Sequence, residues 1–241
     1  MFKPQPGVWL PVTLFATLLV LTFYQILVFN GGHFTYALDD PYIGLAMAEE
    51  LLHGNYGINP GEPAAAASTI LSPLVMTPLV GTAIGQWMPL IINVACALLT
   101  VFVLYGALAR FFRREDSGEW RALALTGAFS GCLLFNLVAI TFAGMEHVPQ
   151  VLLAVMVSVG LVEVVQDPER PLFKALLAAL VLGPLVRFEA FALTVPALVV
   201  LAVLGHRGRA AIAAGLAFGG GDSSCSSSRC RVSARCPRHS R

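Results

Sequence analysis

Three stretches of the chain, residues 8–29, 88–109 and 122–143, each run for 22 residues without a charged side chain. As helices rising about 1.5 Å per residue, each reaches roughly 33 Å, enough to cross a hydrocarbon core of about 30 Å. Shorter apolar segments follow at 148–165, 175–186, 190–204 and 210–218. Residues 68–85 are apolar too, but Pro73, Pro78, Gly81 and Gly85 interrupt them. Each proline removes a backbone donor and kinks a helix, so this segment reads as interfacial or re-entrant. The arms 175–186 and 190–204 are short for full spans, and Lys174 can snorkel to lengthen the first. A tight hairpin with Arg187 and Glu189 at its tip fits them best. The pattern predicts an all-α, polytopic integral membrane helix bundle over residues 1–218.

Composition agrees. The chain is 57% hydrophobic and 12% charged, where soluble domains carry about 25% charged residues. The first apolar run exceeds the usual core of a secretion signal and no small-x-small cleavage site follows, so it reads as an uncleaved anchor. Cys96 and Cys132 lie inside spans and suit small apolar packing; Cys225, Cys230 and Cys236 lie in the tail. Their spacing is neither a disulfide framework nor a zinc site.

Charge placement then sets the topology. If 68–85 does not span and Lys3 is cytoplasmic, nine Lys and Arg residues fall inside, from Lys3 through Arg110, Arg113, Arg114 and Arg121 to Arg209. The outer segments then hold only Arg187 before the tail. Letting 68–85 span would move the four-arginine loop outside, against the positive-inside rule. On this topology Asp39-Asp40, Gly144-Met145-Glu146 and Arg187-Phe188-Glu189 share the outer face.

The first outer loop, residues 30–87, carries five carboxylates and no Lys or Arg. Asp40-Pro41 reads as a helix start, with Asp40 as N-cap and proline at the first helical position. Ile43, Met47 and Leu51 recur along one face of a short amphipathic helix that Gly54 ends, and Asn59-Pro60-Gly61 forms a turn. Glu49-Glu50 reads as a solvated face and His53 as a helix-end residue. One cap needs one carboxylate. Asp39-Asp40 is therefore either a cap with a solvated acid beside it, or a general base or metal ligand. Glu146 is an interfacial acid, or joins that cluster. Arg187 and Glu189 either neutralise each other, or Arg187 pairs with a ligand phosphate. Asn136 is read as an interhelical hydrogen-bonding residue.

The run Asp39-Asp40-x-Tyr42-Ile43, an amphipathic helix, Asn59-Pro60-Gly61-Glu62 and Ser72-Pro73-Leu74 resembles the first outer loop of C-type membrane glycosyltransferases. The nearest likeness is to bacterial members of the Rgt-like, arabinofuranosyl- and mannosyltransferase-like group. Gly144-Met145-Glu146 is similar to that group's second acidic motif. Arg187-Phe188-Glu189-Ala190 resembles its Arg-Pro-Glu-Gly motif, with Phe188 for proline and Ala190 for glycine. The likeness covers roughly residues 8–205 and rests on the order and spacing of the motifs together. It implies transfer of a sugar from a polyprenyl-phosphate donor to a cell-envelope glycan, lipid or protein acceptor, outside a bacterial inner membrane. It implies catalytic roles for Asp40, Asp39 and Glu146, and substrate contacts for Arg187, Glu189, Asn59 and Glu62. A divalent metal cation at Asp39, Asp40 and Glu146 would reconcile this acidic loop with a phosphate donor. The expected partners are the bilayer, donor and acceptor, and no nucleic acid.

Residues 219–241 break the pattern with seven serines, five arginines and three cysteines after a glycine run. They read as a disordered tail or as the product of a frame shift that cuts a further span short, leaving a truncated and inactive enzyme. The competing reading is a small-molecule or ion transporter with the acids as a vestibule, or a non-catalytic membrane protein. Transporters place ionisable groups at mid-membrane and repeat their halves. The long uncharged spans carry no such group, and the chain contains no internal repeat.

Overall fold

The computed structural model describes residues 7–59, 69–114, 118–167 and 174–219. Among them the regular elements are all helical. In order they are α1 (Trp9–Phe29), α2 (Asp40–Leu52), α3 (Leu71–Val80), α4 (Met88–Arg114), α5 (Trp120–Leu134), α6 (Leu137–Ala143), α7 (His147–Gln166), α8 (Lys174–Val186), α9 (Phe191–Val203) and α10 (Arg207–Gly219). Three helices are long and apolar enough to cross a membrane: α1, α4 with its 3₁₀ lead-in, and α7. A fourth joins them if α5 and α6 count as one span.

Packing fixes the direction of each helix. Trp9 of α1 lies 6.3 Å from Phe102 of α4, and Phe23 lies 6.4 Å from Trp87 just before α4, so α1 and α4 are antiparallel. Helices α4 and α7 run parallel. Asn93 reaches Met145 at one end and Arg110 meets Glu163 at the other. Between α4 and α5 the backbones come close because α5 carries Gly127 and Gly131 four residues apart. A Cβ on either would stand 2.9 Å from Leu108 or 2.6 Å from Leu104. Small residues at that spacing let helices pack tightly where lipid removes any hydrophobic drive. Helix α10 packs on α8 and α9 through Leu180, Leu201, Ala210 and Ala213.

The result sorts charge by end. Asp39, Asp40, Glu49, Glu50, Glu146, Arg187 and Glu189 sit where α1, α6 and α8 finish and α4, α7 and α9 begin. Arg110, Arg113, Arg114, Arg121, Lys174, Arg207 and Arg209 sit at the opposite end. The segment read as non-spanning is α3, with ten residues and roughly 15 Å of helix, too short to cross. It packs beside α2 through Ala48, Met76 and Met88.

Four sequence readings change. The stretch 122–143 is not one straight helix: α5 and α6 meet at a 46° bend. The cause is Asn136, which adopts a left-handed conformation with φ 49°, a region asparagine visits more readily than most residues. Asn136 is exposed and caps the break, so it is not the interhelical hydrogen-bonding residue. Helix α2 starts at Asp40 with Asp39 as its N-cap, one residue earlier than expected, and no side chain makes the cap. The segment read as 210–218 begins earlier, at Arg207. Residues 220–241, and with them most of the tail, lie outside the described residues.

Candidate functional site

The acid end is built on Tyr36. Its ring is buried, and its hydroxyl donates to the Gln86 carbonyl at 2.9 Å and accepts the Leu90 N–H at 3.2 Å. The Tyr36 N–H donates to the Tyr42 hydroxyl at 3.1 Å. Burial pushes the Tyr36 phenol up to about 12, outweighing the Leu90 N–H that favours the phenolate, so it remains a neutral hydroxyl. Phe34 sits edge-on to Tyr36 at 5.1 Å and stacks on Trp87 at 5.5 Å. Together these contacts pin the start of the acidic loop to the start of α4.

Gly144 brings the second acidic motif to the first. Its φ is +75°, and an added Cβ would lie 2.5 Å from the Tyr36 ring and 2.8 Å from Pro41. The Gly144-Met145-Glu146 turn therefore presses directly on the residue that follows Asp40. Asn93, 2% exposed, holds the same turn from below. Its Nδ2 donates to the carbonyls of Met145 at 3.0 Å, Thr141 at 3.3 Å and Ile140 at 3.4 Å.

Asp39 and Asp40 are exposed, and neither carboxylate caps α2. Glu146 is half-buried on a cleft of about 80 Å³ that Ser72, Thr69, Asn93 and Val186 also line. The α3 lead-in is tied to the end of α8, where the Ile70 N–H donates to the Leu185 carbonyl at 3.3 Å. Val186, the residue before Arg187, lines the cleft.

Arg187 and Glu189 pair with each other. Nη2 donates to Oε1 at 2.8 Å and Nε to Oε2 at 3.2 Å, a two-point contact. The Arg187 side chain is 15% exposed and that of Glu189 59%. The Arg187 hydrogen bonds hold the Glu189 carboxyl below its ordinary range, with the Glu189 backbone N–H and the charges of Arg187 and His147 adding to the effect. A second cavity of about 270 Å³ between α7, α8 and α9 is lined by Glu189, Gln150 and Thr194.

Among the described residues no three His, Cys, Asp or Glu side chains form a group able to hold a metal ion. Asn59 is exposed, and Glu62 lies outside the described residues. Glu49 is exposed, whereas Glu50 accepts a hydrogen bond from Asn55 at 3.1 Å. His53 Nδ1 lies 3.1 Å from the Glu49 carbonyl oxygen, a helix-end placement.

Sequence reasoning missed Tyr36, Asn93 and Glu163. Asn93 stands alone in an uncharged run, the same mark that drew attention to Asn136. Glu163, 8% exposed, is a single acid in an apolar segment, and Arg110 meets it at 2.8 Å. No protein-family model, no curated protein and no solved structure matches the chain.

Proposed function

We propose that this chain is a multi-pass membrane glycosyltransferase whose acid end faces outward from a bacterial inner membrane. It passes a sugar from a polyprenyl-phosphate donor to a hydroxyl of a cell-envelope glycan, lipid or protein. The observation that supports this most is the contact of Gly144 with Pro41 and Tyr36, which draws two sequence-distant acidic motifs to one place. The charge sorting supports the orientation, since the end richer in Lys and Arg is the one retained inside.

In this reading Asp40 is the general base, with Asp39 beside it. The acceptor hydroxyl gives its proton to the carboxylate as its oxygen bonds to the anomeric carbon. The anomeric carbon–phosphate oxygen bond breaks, and its electron pair leaves with the polyprenyl phosphate. Glu146 orients acceptor hydroxyls at the cleft. Arg187 receives the leaving phosphate by exchanging Glu189 for it, because guanidinium grips either anion in the same two-point geometry. The carboxylates are not gathered into a ligand set, so no step is assigned to a divalent cation.

Transfer of labelled sugar from a polyprenyl-phosphate donor, measured in membrane vesicles carrying the chain, tests the reading. General-base loss costs roughly 10² to 10⁴ in rate. Asp40→Asn abolishes transfer, and Asp39→Asn and Glu146→Gln weaken it strongly, with membrane insertion intact. Normal turnover in all three variants would sink the assignment. Chelator sensitivity restored by Mg²⁺ or Mn²⁺ would bring a metal into the mechanism. For orientation, an impermeant thiol reagent outside the cell modifies Asn55→Cys and spares Gly118→Cys; the reverse pattern overturns the topology.

A further inference from the structure

A groove of about 260 Å³ runs between α4 and α7 at the arginine end, remote from the acidic motifs. Leu104, Leu108 and Val162 are among its apolar lining, and Arg110, Arg114, Glu163 and Gln166 line it at the arginine end. Val162 is 54% exposed, so the groove opens sideways onto the surrounding medium.

We propose that this groove seats one anionic phospholipid, its phosphate at Arg114 and an acyl chain along the walls. The inference rests on the membrane reading above. From Leu104 to Arg114 is ten residues of helix, roughly 15 Å, or half of a core of about 30 Å. The groove is therefore one leaflet deep and begins where headgroups lie. Charge selects the headgroup. Arg110 is met by Glu163 at 2.8 Å. Arg114 donates to the neutral amide oxygen of Gln166 at 2.7 Å, which cancels none of its charge. Arg113 and Arg121 add positive charge nearby, with their guanidinium centres 5.4 Å and 5.1 Å from the Trp120 ring. Among the described residues this end also holds Glu119, Glu163 and Asp167, three acids against seven Lys and Arg side chains. An aqueous anion would use the arginine and leave the apolar walls empty; a phospholipid uses both.

The test is native mass spectrometry of the whole chain released from vesicles of equal phosphatidylglycerol and phosphatidylcholine. The wild type retains one phosphatidylglycerol in preference to phosphatidylcholine by about fivefold, the effect of a single surface arginine on an anionic headgroup. Arg114→Gln, an exposed position whose loss leaves no buried charge, removes the preference and keeps residual binding of both lipids. Val162→Trp fills the groove and reduces retention of both. Equal retention of the two lipids by the wild type overturns the proposal, as does an unchanged preference in Arg114→Gln. Alkaline carbonate extraction separates the two readings. A chain that washes off the membrane refutes membrane insertion and the seat together, whereas one that stays but shows no preference refutes the seat alone.

Discussion

Replacing Gly144 by alanine tests the junction on which the acid end depends. Two costs arise. Forcing a residue with a Cβ into the left-handed region costs roughly 1–2 kcal/mol. The new methyl would also stand 2.5 Å from the Tyr36 ring and 2.8 Å from Pro41. Neither neighbour yields easily, because the Tyr36 hydroxyl is bonded to both Gln86 and Leu90 and Pro41 has a fixed ring. Overpacking of this kind costs about 1–3 kcal/mol more. Gly31 supplies the control: its φ is +63° but nothing lies within 4 Å of its added Cβ. Gly31→Ala therefore carries the backbone cost alone. For a chain of this size each kcal/mol moves Tm by about 2–4 °C. Thermal unfolding followed by circular dichroism should place Gly144→Ala at least about 2 °C below Gly31→Ala, and transfer activity should fall with it. Equal shifts in the two variants would refute the claim that the Gly144 turn is pressed against the acidic loop.

Asn93→Leu keeps the volume but leaves the Met145 and Thr141 carbonyls without their donor; a loss of about 1–3 kcal/mol is expected, read as a lowered unfolding midpoint. Arg110→Met removes the guanidinium that meets the Glu163 carboxylate, whose side chain is 10% exposed, and should cost about 3–5 kcal/mol, while the double change Arg110→Met with Glu163→Met recovers most of it in the same measurement. Glu189 sets a pH dependence. Its folded pKa is depressed, so its stabilising contribution is full above the ordinary value of 4.5 and fades as pH falls through the lower folded value. Stability measured against pH should therefore converge for wild type and Glu189→Gln only on the acid side of 4.5, and a gap that widens there would contradict the pairing.

Helix placement was legible because length and charge are local properties. The uncharged runs became α1 and α4, and the proline-broken segment became the short α3. The common end for the three acidic motifs followed from counting Lys and Arg alone. The bend at Asn136 was not legible, since a polar residue in an apolar run looks the same whether it bonds a neighbour or turns the chain. Asn93 shows the other outcome of that same mark, and only the position of the Met145 carbonyl separates them. The Arg187–Glu189 contact was one of two stated alternatives, and their spacing across a tight turn is what lets them meet at 2.8 Å. Metal ligation by Asp39, Asp40 and Glu146 is a finer matter. Sharing an end of a bundle is a constraint of tens of ångströms, whereas ligation demands a few.

The notch at Gly127 and Gly131 bears on how the chain is made. Its fit with Leu104 and Leu108 depends on close contact between surfaces, and that contact is available as soon as both helices have formed. The two helices are consecutive, so they can meet while later segments are still on the ribosome. Helix α7, which must land beside α4, then arrives at a pair already formed. The 46° bend after α5 leads the chain back towards Tyr36 and Pro41 before α7 enters. On this order of birth, the acidic junction closes only after the hairpin below it is in place, and a chain arrested before Gly144 would hold Tyr36 and Pro41 without the turn that presses on them.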